Sequence, residues 1–175
     1  SAANQARYLK DIKGVTASAN IFAIDGTYVN KKIFNNPGNI ESGQNYAGET
    51  GEKYAERFAV FDSKEMGVRA LARDLTTKIK RHKGDIKKII NEYAPDHEND
   101  TESYINFVTS QLGNKNIITV NDISALTKAV IIQENKKEIA DLYLAPNVFN
   151  VGIQLSKISL PKGTTLEEAL KELNK

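Results

Sequence analysis

The chain has 175 residues, enough for one core of ordinary size and too few for two large independent domains, so we expect a single domain over 1–175. Its 24 Lys and Arg against 22 Asp and Glu give a net charge of +2, which disfavours a nucleic-acid partner bound through its phosphates. With no cysteine and two histidines, the sequence disfavours disulfides, thiolate catalysis, a histidine metal centre and a Ser-His-Asp triad, so we expect no metal and no cofactor.

The amino-terminal part of the chain is polar, with a short helix expected over about 4–12. The dipeptide Asp25-Gly26 stands between two apolar runs and predicts a β-hairpin over 21–29, because both turn residues tolerate positive φ. The segment 35–51 is rich in Asn and Gly around Pro37, which predicts a polar loop. Nowhere does a run of eighteen apolar residues or an export signal occur, so we expect no membrane-spanning segment.

The middle of the chain carries helix signals in close succession. A short strand is predicted over 58–61, and the run 62–65 has the spacing of a capping box, so a helix should follow up to residue 83, with Gly84 at its end. A shorter helix over 85–93 should end before Pro95, which disfavours helical geometry in the preceding residue. The run 99–102 looks like a second capping box and predicts another helix, with Gly113 beyond it.

The last third of the chain predicts two further helices. Asn121 or Asp122 can cap the first, whose inward positions include Leu126 and Val130. The second is an amphipathic helix predicted over 165–173. The stretch 148–158 mixes helix and strand formers and predicts neither. Together these elements indicate an α+β domain, predominantly helical, with a small β-hairpin lobe.

Glu134 is the first candidate catalyst. Steps of three and four residues from Ile123 pass through Leu126 and Val130 and reach this glutamate, so its carboxyl group extends the apolar stripe of the helix. Desolvation penalises the charged form of a carboxyl group, and a carboxyl group that keeps its proton suits general acid catalysis, such as protonation of a glycosidic oxygen. Alternatively, the helix ends near Gln133 and Glu134 is a solvated terminal residue.

The Asn-rich loop supplies candidates for sugar binding: Asn35, Asn36 and Asn39, followed by Tyr46. Amide side chains can fix sugar hydroxyl and acetamido groups, and a tyrosine ring suits the apolar face of a sugar. Alternatively, this run is a solvent-exposed turn.

A third candidate is the acidic run at 96–100, which lies between two predicted helices. It lacks the central glycine of a calcium loop, so no metal is expected there. Glu98 is the second candidate acid catalyst. Alternatively, these acids cap the helix that follows them.

Short runs between residues 35 and 134 carry a family resemblance. The matching runs are NNPGNI at 35–40, YAG at 46–48, FAVFDS at 58–63, GVRA at 67–70, YAP at 93–95, ENDT at 98–101 and YI at 104–105. In this order and spacing they resemble a lysozyme-like domain found in phage virion structural proteins, often inside larger internal or tail-associated polypeptides. The resemblance implies a lysozyme-like fold in which the Asn-rich run precedes the helix that ends in the glutamate, a permuted order.

The resemblance also implies a function: a virion protein that works with other virion proteins in the host periplasm or cell wall and degrades peptidoglycan glycan strands as the phage genome enters. Glu134 would protonate the oxygen between N-acetylmuramic acid and N-acetylglucosamine, then act as base on the muramyl 6-hydroxyl in a lytic transglycosylase, or on water in a muramidase. Tyr104 joins the Asn residues and Tyr46 as a substrate-binding candidate. The alternatives are a non-catalytic virion component that binds the wall or serves in assembly, and a prophage-derived secreted wall hydrolase.

Overall fold

The computed structural model describes residues 34–94 and 100–175. The predicted helix at 4–12, the predicted hairpin at 21–29 and the candidate acid Glu98 lie outside the described residues. Within them, seven α-helices accompany a two-stranded antiparallel sheet, which confirms the prediction of a predominantly helical α+β protein. The lysozyme-like arrangement and the single domain over 1–175 stay predictions.

The sheet is a hairpin of β1 (Glu49–Tyr54) and β2 (Phe58–Phe61), so the strand predicted at 58–61 is confirmed. Ala55 and Glu56 both have positive φ in the turn between the strands, as a tight hairpin requires. Strand β1 was not predicted, and the expected loop over 35–51 is wrong for its last three residues. The four central residues of β1 are all exposed, so the strand lacks the alternation of polar and apolar residues that marks a half-buried strand.

Seven helices follow the sheet in the described part of the chain. In chain order they are α1 (Lys64–Arg81), α2 (Ile86–Tyr93), α3 (Thr101–Gln111), α4 (Ile123–Glu134), α5 (Lys137–Leu144), α6 (Pro146–Leu155) and α7 (Leu166–Leu173), with a 3₁₀ turn (Val120–Asp122) before α4. Helix α5 was not predicted, and α6 resolves the ambiguous stretch 148–158 as helix over most of its length. No helix among the described residues is long and apolar enough to cross a membrane.

The helix starts lie close to the predicted ones, with two caps displaced by one residue. Ser63, and not Asp62, caps α1 by accepting a hydrogen bond from the Met66 amide at 3.1 Å. In α3 the cap is Asp100, whose carboxylate accepts from the Ser103 amide at 3.0 Å. In each predicted box several neighbouring residues could cap, so spacing alone does not choose among them.

Helix α1 is the centre of the packing, because it contacts both α4 and α6. Buried residues such as Leu71, Leu75 and Leu126 fill this core, and burial of each such side chain contributes about 1.5–3 kcal/mol. Arg69 is also buried: its guanidinium donates to the Leu155 carbonyl at 3.0 Å and thereby satisfies the carboxyl end of α6. Burial lowers the pKa of Arg69 to about 10.

Candidate functional site

Glu134 is the last residue of α4, and its side chain is turned into the protein. The helix does end here, yet the residue is only 1% exposed, so the alternative of a solvated terminal residue is wrong. The apolar stripe that predicted an inward carboxyl group is present, since Leu126 and Val130 on the same helix are fully buried. The site therefore starts from a carboxyl group held among packed side chains.

Asn39 connects this carboxyl group to the loop before β1. Its Nδ2 donates to Glu134 Oε1 at 3.2 Å, while its Oδ1 accepts from the Tyr54 hydroxyl at 2.5 Å. Tyr54 is in turn stacked on Phe34, with ring centroids 4.2 Å apart. The structure thus brings together two of the predicted site residues, Asn39 and Glu134, across 95 positions of sequence.

Two tyrosine hydroxyls complete the surroundings of the glutamate. Burial raises the pKa of Tyr93 and that of Tyr104 well above the ordinary value, and the negative charge of the nearby Glu134 raises both further. The Tyr93 hydroxyl donates to the Gly38 carbonyl. Both phenols therefore stay protonated at neutral pH, and the Tyr104 side chain, at 1% exposure, is packed inside the protein and does not present its ring to solvent.

Asn135 fixes the end of α4 to the same loop, and it was not predicted as a site residue. Its Nδ2 donates to the Pro37 carbonyl at 2.8 Å and to the Ile131 carbonyl at 2.9 Å. The residue is buried. A polar side chain next to the inward end of an apolar stripe was the one sequence signal that could have identified it.

Asn35 and Asn36, predicted to bind sugar, make hydrogen bonds to backbone groups. The Asn36 Nδ2 donates to the carbonyls of Ile40 and Ala59, at 2.9 Å and 2.8 Å, and its Oδ1 accepts from the Ile40 amide at 2.9 Å. At 1% exposure this side chain has no outward-facing donor or acceptor. Asn35 Nδ2 donates to the Phe61 carbonyl at 3.0 Å, so both residues shape the loop and join it to β2.

Tyr46 is half-buried. It lines a groove of about 650 Å³ bounded by α1, the 3₁₀ turn, the start of α4 and the end of α6. Burial, with the nearby charge of Asp74 as a smaller cause, raises the pKa of Tyr46 to about 12. A second groove of about 540 Å³ lies where α2 meets the start of α3. Neither of these two grooves in the described part of the chain is lined by Glu134.

The chemistry available at Glu134 is that of one carboxyl group with amide and phenol neighbours. Among residues 34–94 and 100–175, no group of three or more His, Cys, Asp or Glu side chains is placed to hold a metal ion. A carboxyl group so placed can exchange protons or accept hydrogen bonds, and either use requires access that the 35–40 loop and Tyr104 limit in this conformation.

The chain is similar in sequence to a known protein. No family model matches it. Protein P5 of Pseudoalteromonas phage PM2 is 38% identical over 108 residues, which cover 58% of this chain and 68% of the phage protein. The chain belongs to the P5 family. Membership of the P5 family confirms the bacteriophage part of the predicted identity, while the lysozyme-like activity stays a prediction.

Proposed function

We propose that this member of the P5 family serves as a structural, non-catalytic component of a phage particle. The observation that carries the proposal is the burial of Glu134, which is 1% exposed and accepts a hydrogen bond from Asn39. In this role the glutamate joins the loop before β1 to the end of α4. Membership of a bacteriophage family supports a place in the particle.

The contacts around the loop support this role over catalysis. A general acid must come within about 3 Å of the oxygen that it protonates. Glu134 Oε1 instead lies 3.2 Å from Asn39 Nδ2, and the loop that carries Asn39 is held down through Asn36 and Asn135. A glycan strand could reach the carboxyl group only after the loop moved and these bonds broke.

Peptidoglycan cleavage is the second candidate function, favoured by the convergence of Glu134, Asn39 and Tyr104 at one place. A carboxyl group at a helix end beside an Asn-bearing loop has the composition of a site that protonates a glycosidic oxygen. Hydrogen bonds of catalytic groups are often long or poorly aligned until substrate binds, so this role is compatible with the closed geometry. Glu98 remains the second predicted acid.

Two measurements separate the candidates. Mass spectrometry of purified particles tests whether the protein is a stoichiometric component, as the structural role requires. Incubation of the purified chain with peptidoglycan sacculi, followed by mass analysis of the soluble fragments, tests cleavage: anhydro-muropeptides indicate a transglycosylase and new reducing ends a hydrolase. We expect no fragments. Fragments that disappear in Glu134→Gln but persist in Glu98→Gln would overturn the non-catalytic proposal and identify the acid.

A further inference from the structure

The groove beside Tyr46 is positively charged. The described residues that line it include three cations, Arg73, Lys80 and Lys157, and no carboxylate. Two carboxylates lie near Tyr46 without lining the groove: Asp74 pairs with Lys78 at 2.7 Å, and Glu49 accepts hydrogen bonds from the amides of Gly43 and Tyr46. A concave surface whose charged lining residues are all cations attracts anions, since its walls focus the field.

The rest of the lining suits a polyhydroxylated molecule. Hydroxyl groups come from α1, from the start of α4 and from the end of α6, as in Thr77, Ser124 and Ser156. The hydroxyls of Thr77 and Ser156 donate to the carbonyls of Arg73 and Ile153, so toward a sugar they serve as acceptors. Val120, which is 43% exposed, and the ring of Tyr46 add apolar surface. The volume of about 650 Å³ lies within the range that holds a ligand of one or two sugar rings.

Tyr46 adds a ring suited to sugar binding. Burial raises the pKa of Tyr46 to about 12, and like any tyrosine it is uncharged at neutral pH. An uncharged aromatic ring can pack against the apolar face of a pyranose, while its hydroxyl can bond with the sugar. Tyr46 was predicted to stack on a sugar, and in the structure it lines this groove.

We infer that this groove binds an acidic saccharide, a sugar that carries a carboxylate or phosphate group. Lys80 and Lys157 meet the acidic group, the hydroxyl-bearing residues bond with the sugar hydroxyls, and Tyr46 covers one face of the ring. The inference goes beyond the particle role proposed above, because it assigns a ligand to the protein. It does not depend on cleavage of that ligand. It would give a phage protein a contact with the bacterial surface, where acidic saccharides occur as muramyl residues and as phosphorylated glycans.

The test is a titration of the ¹⁵N-labelled full chain, followed by NMR, with three probes of similar size: N-acetylmuramic acid, N-acetylglucosamine 1-phosphate and neutral N-acetylglucosamine. We expect the acidic probes to shift the backbone amides of Ser124 and Ser156 and to bind at least about tenfold more tightly than the neutral sugar, the effect of one charge-assisted hydrogen bond. The double variant K80A/K157A should lose about tenfold in affinity. The matched variant K128A/K162A removes the same charge from exposed lysines outside the groove and should bind as the native chain does.

The three probes and the two double variants give distinguishable results. Tighter binding of N-acetylmuramic acid supports a carboxylated wall sugar as the natural ligand, and tighter binding of the phosphate supports a phosphorylated glycan. Equal binding of all three probes, or no binding, overturns the inference, and so does an equal loss in both double variants. Shifts confined to amides around Asn39 and Glu134 would also overturn it and would point to the cleavage site instead. Failure here leaves the particle role intact, because particle composition tests that role separately.

Discussion

Replacement of Asn36 by alanine separates a loop-shaping role from a sugar-binding one. The side chain makes three buried hydrogen bonds to backbone groups, two as donor and one as acceptor, at 2.8–2.9 Å. Each such bond contributes a net of about 1 kcal/mol, and a buried group left without a partner costs about 1–3 kcal/mol. We therefore expect Asn36→Ala to lower the free energy of unfolding by about 3–5 kcal/mol.

The assay is urea denaturation followed by circular dichroism, supported by the melting temperature. For a chain of this size a loss of 3 kcal/mol lowers the melting temperature by roughly 6–12 °C. The matched control is Asn91→Ala, because Asn91 is an exposed amide on α2 and should change stability by less than about 0.5 kcal/mol. Equal stability of the two variants would refute the reasoning, since Asn36 would then contribute no more than a surface amide.

Three further predictions concern the stability contributed by Gly67, by the buried tyrosines and by Arg69. Alanine at Gly67 would place a Cβ 1.7 Å from the Asn35 carbonyl oxygen. Gly67→Ala should therefore lower the free energy of unfolding by about 2 kcal/mol in urea denaturation, although alanine has the better helix propensity. A stabilised variant would contradict this prediction. The phenol pKa values of Tyr46 and Tyr104 are raised in the folded protein, so the unfolded chain releases these protons at lower pH. The free energy of unfolding should therefore fall as pH rises from about 10 towards 12, by about 1.4 kcal/mol per pH unit for each such tyrosine. Tyr104→Phe should reduce this slope, measured from urea midpoints, and an unchanged slope would contradict the prediction. Arg69→Lys keeps a charge but loses the fork that bonds the end of α6, so it should cost about 2 kcal/mol in the same assay, and a variant as stable as the native chain would exclude that role.

The helices could be predicted because their signals are local. Apolar residues at helical spacing, a glycine such as Gly84 in the left-handed region and the Pro95 stop all act within a few residues, and α1, α2 and α7 follow them closely. Strand β1 could not, because its exposed middle has no polar-apolar alternation. Its pairing with β2 is set by the turn and by the partner strand.

Only half of the candidate site could be predicted. The apolar stripe indicated that Glu134 faces inward, but nothing local indicated that Asn39 would meet it across 95 residues. Asn36 and Tyr104 belong to residue types that bind sugars, and the same types also satisfy buried backbone groups or fill a core. Which of these roles a side chain has depends on its distance from backbone carbonyls elsewhere in the chain. Those distances are set by the fold and cannot be predicted from residue type.

The contacts of the 35–40 loop set a limit on any activity of Glu134. To expose the carboxyl group, the loop must break at least the bonds from Asn39 to Glu134, from Asn135 to the Pro37 carbonyl and from Tyr93 to the Gly38 carbonyl. At about 1 kcal/mol each, opening requires about 3 kcal/mol, so the open form is populated at roughly 1% or less.

Asn39→Ala therefore distinguishes the two candidate functions. If Glu134 cleaves peptidoglycan from the open form, removal of the bond from Asn39 should raise the open population and the cleavage rate about fivefold, provided that Asn39 does not itself hold the substrate. If the glutamate is a structural residue, the variant should lose about 2 kcal/mol of stability, because alanine removes the bonds to both Glu134 and Tyr54, and it should release no fragments from sacculi. Because the two readings predict different changes in rate for one substitution, the hydrogen bond between Asn39 and Glu134 is the contact on which the assignment of function depends.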